Sequence, residues 1–284
     1  MLVRTIESKN NARLKELRRA LGTAGRGTSR LVDGARRLVG IEGPNLIEEA
    51  LRAGVRVATI FVAIGAEHSL DWLPFPCETE VLRLKRELLD SALATETPQP
   101  LAALVEPPDW TWADVIRNRP NAALIVILAG IQDPGNLGTI LRSAEAFGAS
   151  GIVSLPGTVS TWNPKAVRAS AGSVFRVPVI ASNAEECFAR LREGGAKILA
   201  TMARGGKAAD SVNLADSVAL VIGNEGNGVP QGLARQCDGA ITIHSPGPVE
   251  SLNAAVAASV LLYEAARQRA TASGGKRGRR GARR

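Results

Sequence analysis

Six polar residues, in three segments that also contain glycine, are the candidates for chemistry in this chain. They are Asn136, Arg142, Asn224, Glu225, Ser251 and Asn253. The segments, residues 133–148, 222–230 and 243–258, each follow or interrupt an apolar run. Glycine permits a backbone to approach a ligand closely, and a few convergent polar groups give such a site its specificity. The three segments therefore predict one composite site.

Each candidate also has a purely structural explanation. Asn136 can cap the helix that begins near it, and Arg142 can be a surface residue paired with an acidic neighbour. Glu225 can be a solvated carboxylate in a turn, and Ser251 can cap the next helix. Asn253 stands in the first helical turn despite its poor helix propensity, which indicates another role. For Asn136, capping and a role in a site are compatible.

The usual motifs for nucleotide phosphates and metals are missing from the sequence. GxxxxGK[ST] does not occur, and the GNEGNG string is followed at once by Pro230 and Gly232 rather than by a long helix. The cysteines and histidines are scattered at Cys77, Cys187, Cys237, His68 and His244. We therefore expect no metal site and no disulfide scaffold.

Strands and helices alternate from residue 122 onward. The predicted strands are Leu124–Ala129, 151–155, Lys197–Thr201, 218–222 and 240–243, and the predicted helices are 137–147, 164–171, 184–193 and 251–269. This alternation predicts an α/β domain with a mostly parallel sheet and helices on both faces. In such sheets ligands bind beyond the carboxyl ends of the strands. All three polar segments lie at such ends.

The first hundred residues predict a smaller α/β domain. An amphipathic helix over residues 10–21 has basic residues on its polar face. Strands at 37–42 and 55–64 flank a helix at 45–53. A further helix is expected within residues 81–105.

The composition allows two domains. The chain has 284 residues, of which 45% are apolar and 22% charged. Residues 106–121, rich in proline and tryptophan, predict a linker between domains at 1–105 and 122–270, and residues 271–284 predict a basic, disordered tail. The N-terminus has no hydrophobic leader, and no apolar run approaches the roughly 18 residues of a membrane span, so we expect a cytoplasmic protein.

The net charge of +8 is concentrated at the two ends of the chain. Residues 1–40 carry +7 and residues 271–284 carry +6, so the middle carries −5. This distribution is typical of a protein that binds a polyanion, and for residues 1–40 we favour RNA. The RNA-binding candidates on the first predicted helix are Asn11, Arg13, Lys15, Arg18 and Arg19. For the tail, phosphate binding and a plain solubility role are equally supported.

Four strings, in order along the chain, resemble motifs of the SpoU/TrmH family of SPOUT RNA ribose methyltransferases. They are NLGTILRSAEAFGASGIV, NPKAVRASAGSVFRVPV, ALVIGNEGNGVP and ESLNAAVAASVLLYE. This resemblance runs from residue 122 to residue 269. The strings KNNARLKELRRAL, EGPNLIEEALRAGV and TPQPLAALV resemble that family's ribosomal-protein-like substrate-binding domain. The tail and residues 65–95 lie outside both matches.

The resemblance implies S-adenosylmethionine as the cofactor, a deep trefoil knot in the C-terminal part of the sheet, and a homodimer. On the family's pattern the adenosyl group contacts mainly backbone near Thr201, Gly223, Ile243 and Leu252. The residues that match its catalytic and substrate-positioning set are Asn136, Arg142, Glu225, Ser251 and Asn253. Where family members commonly have Ile-Pro-Met, this chain has Ile-His-Ser at residues 243–245, which changes the edge of the expected pocket.

The residue types fit methyl transfer to a ribose. A 2′-hydroxyl is a weak nucleophile, so the reaction requires an aligned hydroxyl and stabilisation of its developing negative charge. Arg142 matches the family's proposed base, but a guanidinium is a poor base, so we expect it to orient the hydroxyl or phosphate and to stabilise the alkoxide. Asn136 and Asn253 would position the substrate. Glu225 would hold Arg142 or the cofactor loop.

The resulting hypothesis is an enzyme that methylates a ribose 2′-oxygen in structured RNA. 23S rRNA is favoured because an added N-terminal RNA-binding domain commonly accompanies that substrate in the family. A resistance methylase acting on the same RNA and a tRNA ribose methyltransferase are alternatives with the same chemistry. A non-catalytic RNA-binding protein is expected to have lost polar site residues, yet all five are present. A dinucleotide oxidoreductase would need a glycine fingerprint that is missing.

Overall fold

The computed structural model describes residues 2–22, 38–93, 95–116 and 122–281. Small parts of the predicted strand at 37–42, of the predicted linker and of the predicted tail lie outside these residues. Helices and strands are numbered below in chain order.

The strands are β1 (Leu2–Ile6), β2 (Val39–Glu42), β3 (Val57–Ala63), β4 (Glu80–Leu84), β5 (Leu101–Val105), β6 (Leu124–Ala129), β7 (Gly151–Ser154), β8 (Val179–Ala181), β9 (Lys197–Thr201), β10 (Lys207–Ala208), β11 (Val218–Gly223) and β12 (Gly239–Thr242). The helices are α1 (Ala12–Leu21), α2 (Pro44–Arg52), α3 (Arg86–Asp90), α4 (Trp112–Ile116), α5 (Pro134–Ala146), α6 (Pro164–Ala169), α7 (Ala184–Glu193), α8 (Gln231–Ala234) and α9 (Ala254–Gly281).

The chain divides into two compact units. The first contains Met1–Asp109 and Ser160–Arg176, and the second contains Trp110–Val159 and Val177–Arg284. The segment Ser160–Arg176, which includes α6, thus packs with the first unit although its sequence lies within the second predicted domain. Each unit has its own sheet.

The sheet of the first unit has five strands in the order β1-β4-β3-β5-β2. Strands β1, β4 and β3 are parallel, whereas β5 runs antiparallel to both β3 and β2. The sequence does not predict β1 or β4. Strand β1 is a short edge strand in which Arg4 and the exposed Val3 weaken the apolar pattern, and β4 lies where only a helix was expected.

Helix α1 packs its apolar face against β2. Leu14, Leu17 and Leu21 are fully buried, as the helical spacing predicts. A Cβ atom placed on Gly40 of β2 would lie 2.7 Å from Cγ of Leu21, so glycine is what lets the helix approach the strand. The basic side chains of α1 therefore lie on its outer face.

The sheet of the second unit has seven strands in the order β10-β12-β9-β11-β6-β7-β8, and every neighbouring pair is parallel. This confirms the predicted parallel α/β fold. The central strands β6 and β11 are buried at every position, which explains their uninterrupted apolar sequences. The edge strands β8 and β10 are too short to give a sequence signal. The carboxyl ends of β12, β9, β11 and β6 lie side by side.

Helices α5 and α9 pack against each other in the second unit. The hydroxyl groups of Ser143 and Ser259 share a hydrogen bond of 2.7 Å. The rings of Phe147 and Tyr263 meet edge to face with 5.8 Å between their centroids. These contacts fix α9, and with it the segment that precedes α9, relative to α5.

Helix α9 differs from its prediction at both ends. It begins at Ala254 rather than at residue 251, and its backbone remains helical to Gly281, beyond residue 271, where the disordered tail was expected to begin. In the described ranges no helix, α9 included, is long and apolar enough to cross a membrane.

Candidate active site

A cavity of about 720 Å³ lies at the carboxyl ends of β9, β11 and β12. Its walls come from the loops that follow these strands and from the first turns of α9. The four residues expected near an adenosyl group all line it: Thr201, Gly223, Ile243 and Leu252. The volume lies within the range of roughly 300–1,000 Å³ that is typical of small-molecule pockets.

A chain of side-chain hydrogen bonds joins the three polar segments beside this cavity. Nδ2 of Asn136 donates to Oε1 of Glu225 over 2.5 Å, and Nδ2 of Asn253 donates to Oδ1 of Asn136 over 3.1 Å. Because an ionised carboxylate can only accept hydrogen bonds, Glu225 fixes which end of the Asn136 amide faces it. The structure thus brings together the segments that the sequence predicts to form one site, through their functional groups.

Helix capping at this site is assigned differently from the sequence expectation. Asp133, and not Asn136, caps α5, since its side chain accepts a hydrogen bond of 2.8 Å from the backbone N–H of Asn136. Asn253, and not Ser251, caps α9. Its Oδ1 accepts hydrogen bonds from the backbone N–H groups of Ala255 and Val256, at 2.9 and 3.2 Å. The poor helix propensity of Asn253 is therefore explained by its place just outside the helix. Ser251 is exposed and lines the cavity.

The loop after β11 folds back on its own strand. Asn224 and Gly228 exchange two backbone hydrogen bonds, of 3.1 and 2.8 Å, and Nδ2 of Asn224 donates to the carbonyl oxygen of Gly130. A Cβ atom on Gly223 would lie 2.1 Å from the carbonyl carbon of Gly228. The need for glycine at position 223 therefore comes from the approach of this loop as well as from the cavity that it lines. Asn224 holds the loop to the end of β6.

Arg142 lies on the second half of α5 with an exposed side chain. Within the part of the chain that the structure describes, it makes no hydrogen bond or ion pair. The expected contact with Glu225 is not formed, since that carboxylate bonds Asn136, and a pairing of Arg142 with Glu145 is not formed either. Arg142 does not line the cavity of this chain.

The loop after β9 contributes cavity residues that the sequence analysis missed. Met202 and Arg204 both line the cavity with exposed side chains. The signal was present, because the string MARGG follows the end of a predicted strand just as the three polar segments do. His244, where the chain departs from the family's pattern, is exposed and lines the cavity, so the departure lies at the edge of the pocket.

The lining is compatible with S-adenosylmethionine. Apolar side chains such as Ile222, Met202 and Leu252 can cover an adenosine, and the polar backbone of the strand ends can bind its edges. Arg204 and Glu250 supply charges of both signs, as an amino acid with a free carboxylate and a free ammonium requires. The residues present therefore fit the cofactor that the sequence resemblance implies.

Arg13 and Arg18, which are basic RNA candidates on α1, form contacts within the first unit. Arg13 forms ion pairs with Glu16 and Glu80, and Arg18 donates to the backbone and side chain of Ser91. Asn11 caps α1 through its side-chain oxygen. The exposed candidates without such contacts among the described residues are Lys15 and Arg19.

Two of the three cysteines, Cys187 and Cys237, lie partly or fully buried in the second unit. Cys187 lies in the core of the second unit, where burial raises its pKa to about 12, and burial raises the pKa of Cys237 to about 11. Both thiols are therefore protonated at neutral pH and poor nucleophiles. No three His, Cys, Asp or Glu side chains in the described ranges are grouped to hold a metal ion.

Family models match both parts of the chain. Residues 123–263 match the SpoU rRNA Methylase family, and residues 35–103 match the MRM3-like substrate binding domain. The first match contains β6, α5, β11 and the start of α9, and therefore the three polar segments.

Named relatives and solved structures agree with these matches. The 23S rRNA (guanosine(2553)-2'-O)-methyltransferase RlmP of Bacillus subtilis (strain 168) is 34% identical over 225 residues, which cover 78% of this chain and 86% of the relative. An uncharacterized tRNA/rRNA methyltransferase of Mycobacterium tuberculosis is 35% identical over 240 residues, covering 80% of this chain and 73% of the relative. The SpoU methyltransferase AviRb from Streptomyces viridochromogenes, in complex with the cofactor AdoMet, superposes with a TM-score of 0.75 at 28% identity and covers 92% of this chain and 98% of that one. An AdoMet-bound rRNA methyltransferase from Sinorhizobium meliloti gives a TM-score of 0.76 at 28% identity, covering 93% and 98%.

Proposed function

Because this chain belongs to the SpoU rRNA methylase family, we propose that it methylates a ribose 2′-hydroxyl of 23S rRNA. It is an RNA methyltransferase that uses S-adenosylmethionine. The observation that carries the proposal for this chain's own residues is the hydrogen-bonded contact of Glu225, Asn136 and Asn253 beside a cavity of cofactor size. 23S rRNA is the substrate in the name of the Bacillus subtilis relative, and it is also the substrate that the two-part sequence favours.

The cofactor supplies an activated methyl group on a sulfonium when it is bound. Thr201, Gly223, Ile243 and Leu252 would hold its nucleoside in the cavity, largely through backbone groups.

Asn136 and Asn253 would orient the ribose. The Asn136 amide uses its oxygen for Asn253 and one N–H for Glu225, so its second N–H remains to donate to a substrate oxygen. Glu225 acts as a positioning residue, since it holds Asn136 in one orientation. Ser251, exposed at the cavity wall, would contribute a hydroxyl to the same substrate.

Arg142 would stabilise the negative charge that develops on the 2′-oxygen. Its guanidinium is free of partners in the described part of its own chain, so it is available to an RNA oxygen. A permanently charged group aimed at a developing alkoxide lowers the barrier, and the proton of the 2′-hydroxyl would pass to solvent water while the sulfonium leaves as a neutral thioether.

The active unit would be a homodimer formed through α9. Val256, Val260 and Tyr263 are 48%, 38% and 55% exposed and follow one another at helical spacing on one face. Such an apolar stripe favours a helix of a second copy as its cover. Arg142 stands on α5, the helix that packs against α9 through Ser143 and Phe147.

The remaining assignments follow from the substrate. Residues 1–105 would bind the RNA, with Lys15 and Arg19 among their exposed cations. Residues 106–121 would connect the domains, and residues 122–270 would catalyse. The basic tail would add phosphate contacts. An enzyme acting on rRNA works in the cytoplasm. The knot remains a prediction from the family resemblance.

The decisive experiment maps ribose methylation in 23S rRNA from cells with and without this protein. We expect one 2′-O-methylated nucleotide to disappear, and purified protein to restore it in the presence of S-adenosylmethionine. Arg142→Ala should still bind the RNA while its methylation rate falls by about two orders of magnitude or more. Loss of a mark from tRNA with 23S rRNA unchanged would refute the substrate, and full activity of Arg142→Ala would refute the role of that arginine.

A further inference from the structure

Arg204 stands on a loop whose two ends are fixed to β12. The backbone N–H of Met202 donates to the carbonyl oxygen of Ile241 over 2.9 Å. The backbone N–H of Gly206 donates to the hydroxyl of Thr242 over 2.9 Å. The loop between these bonds has only three residues, so the position from which Arg204 extends is well defined.

Gly206 makes this attachment close. A Cβ atom there would lie 2.6 Å from the hydroxyl oxygen of Thr242 and 2.7 Å from the carbonyl carbon of Ile241. A side chain at this position would push the loop away from β12. The glycine therefore keeps the loop, and Arg204 with it, at the cavity wall.

Arg204 is also the one arginine or lysine among the described residues that line the cavity. Its side chain is exposed and makes no hydrogen bond or ion pair to any described residue. Both acidic lining residues are exposed, but Glu225 is bonded to Asn136, whereas Glu250 has no such bond among the described residues. An unpaired guanidinium on a backbone held at the cavity wall requires an anionic partner when a ligand displaces its water.

We propose that the Arg204 guanidinium binds the α-carboxylate of the cofactor's amino acid portion and so selects ligands that carry this portion. The proposal rests on the proposed function and assigns a specificity residue to its cofactor site. The loop of Arg204 follows Thr201 directly and is attached to the strand that leads to Ile243, and both of these residues are expected near the adenosyl group. Planar guanidinium and carboxylate groups form paired, charge-assisted hydrogen bonds.

Calorimetry with two nucleosides tests this contact without requiring catalysis. S-adenosylhomocysteine has the carboxylate, whereas 5′-methylthioadenosine has the same thioether nucleoside without the amino acid. We expect Arg204→Ala to weaken binding of S-adenosylhomocysteine by about tenfold and to leave 5′-methylthioadenosine within about twofold. Arg204→Lys should lie between the two, because an ammonium keeps the charge but not the paired geometry.

Arg235→Ala is the matched control, since Arg235 is an exposed arginine just after α8 that does not line the cavity. It should leave both affinities unchanged. The proposal is overturned if Arg204→Ala weakens the binding of both nucleosides equally, because that result would mean a displaced loop. It is equally overturned if Arg204→Ala weakens the binding of neither nucleoside. It is also overturned if only RNA binding weakens, which would assign Arg204 to a phosphate. Wild-type protein that binds neither nucleoside would refute the proposed function itself, whereas tight wild-type binding with an unaffected Arg204→Ala refutes this inference alone.

Discussion

Glu225 makes a side-chain contact that restricts the roles it can have. Its carboxylate accepts a hydrogen bond from an amide, and it has no basic partner among the described side chains. A carboxylate in this position can act in two ways: it can remove a proton from the substrate, or it can hold Asn136. The two roles differ in whether they require a negative charge or only an acceptor atom.

Glu225→Gln and Glu225→Ala separate these roles. A glutamine can present its carbonyl oxygen to Nδ2 of Asn136, so we expect Glu225→Gln to keep methylation within about tenfold of wild type. Glu225→Ala leaves the amide without its acceptor and should lower kcat about a hundredfold. Both variants should fold normally, because the side chain is exposed. Equal, severe losses in single-turnover assays of the two variants would identify Glu225 as a base instead.

The conformation of the loop after β11 requires that residue 223 has no side chain. The contact atoms around a Cβ atom at this position are backbone, at 2.1 to 2.4 Å, and backbone cannot move aside as a flexible side chain can. Gly226 in the same loop differs, because its Cβ atom would meet only the side-chain oxygen of Asn224, at 3.4 Å.

Gly223→Ala should therefore destabilise the protein by about 1–3 kcal/mol, as overpacking does, and should weaken nucleoside binding because the loop lines the cavity. Gly226→Ala serves as the control for stability and should leave the urea midpoint unchanged. The measurements are the urea midpoint and the dissociation constant for S-adenosylhomocysteine. A stable Gly223→Ala protein with unchanged affinity would contradict this account of the loop.

Arg269 anchors the C-terminal half of helix α9, beside Gln268, which bonds Val212 and Leu214. Arg269 donates to the carbonyl oxygens of Ala122, Ala123, Leu214 and Asp216, at 2.5, 3.1, 3.0 and 2.7 Å. Burial lowers the pKa of this guanidinium, yet it remains charged at neutral pH. These bonds tie the helix to the entry of β6 and to the turn before β11.

We expect Arg269→Ala to lower the free energy of unfolding by about 2–3 kcal/mol, since it removes charge-assisted hydrogen bonds and leaves carbonyl groups unsatisfied. Arg267→Ala, two residues away, removes an exposed ion pair with Glu264 and should leave the urea midpoint unchanged. Equal midpoints for the two variants would show that Arg269 does not anchor α9.

Sequence reasoning succeeded for elements with a strong pattern and failed where contacts between elements decide. The buried strands β6, β9 and β11 were predicted because their apolar runs are continuous. The edge strand β1 was not predicted, because its apolar pattern is weak. The caps of α5 and α9 were not predicted either, since Asp133 and Asn253 show their capping roles only through hydrogen bonds to particular backbone N–H groups. Arg204 was missed because a lone arginine gains meaning only from the cavity around it.

For the whole molecule, the exposed stripe of Val256, Val260 and Tyr263 predicts association through α9. A charge in its centre should prevent this, so Val260→Glu should sediment at about half the mass of the wild-type homodimer in analytical ultracentrifugation. Val3→Glu makes the same change at an exposed valine, 42% accessible, in the first unit and should leave the mass unchanged. Because α5, which carries Arg142, packs against α9, we expect Val260→Glu also to lose methylation while it still binds S-adenosylhomocysteine. A wild-type protein that is monomeric at micromolar concentration, or a fully active monomeric Val260→Glu, would exclude the homodimer as the catalytic unit.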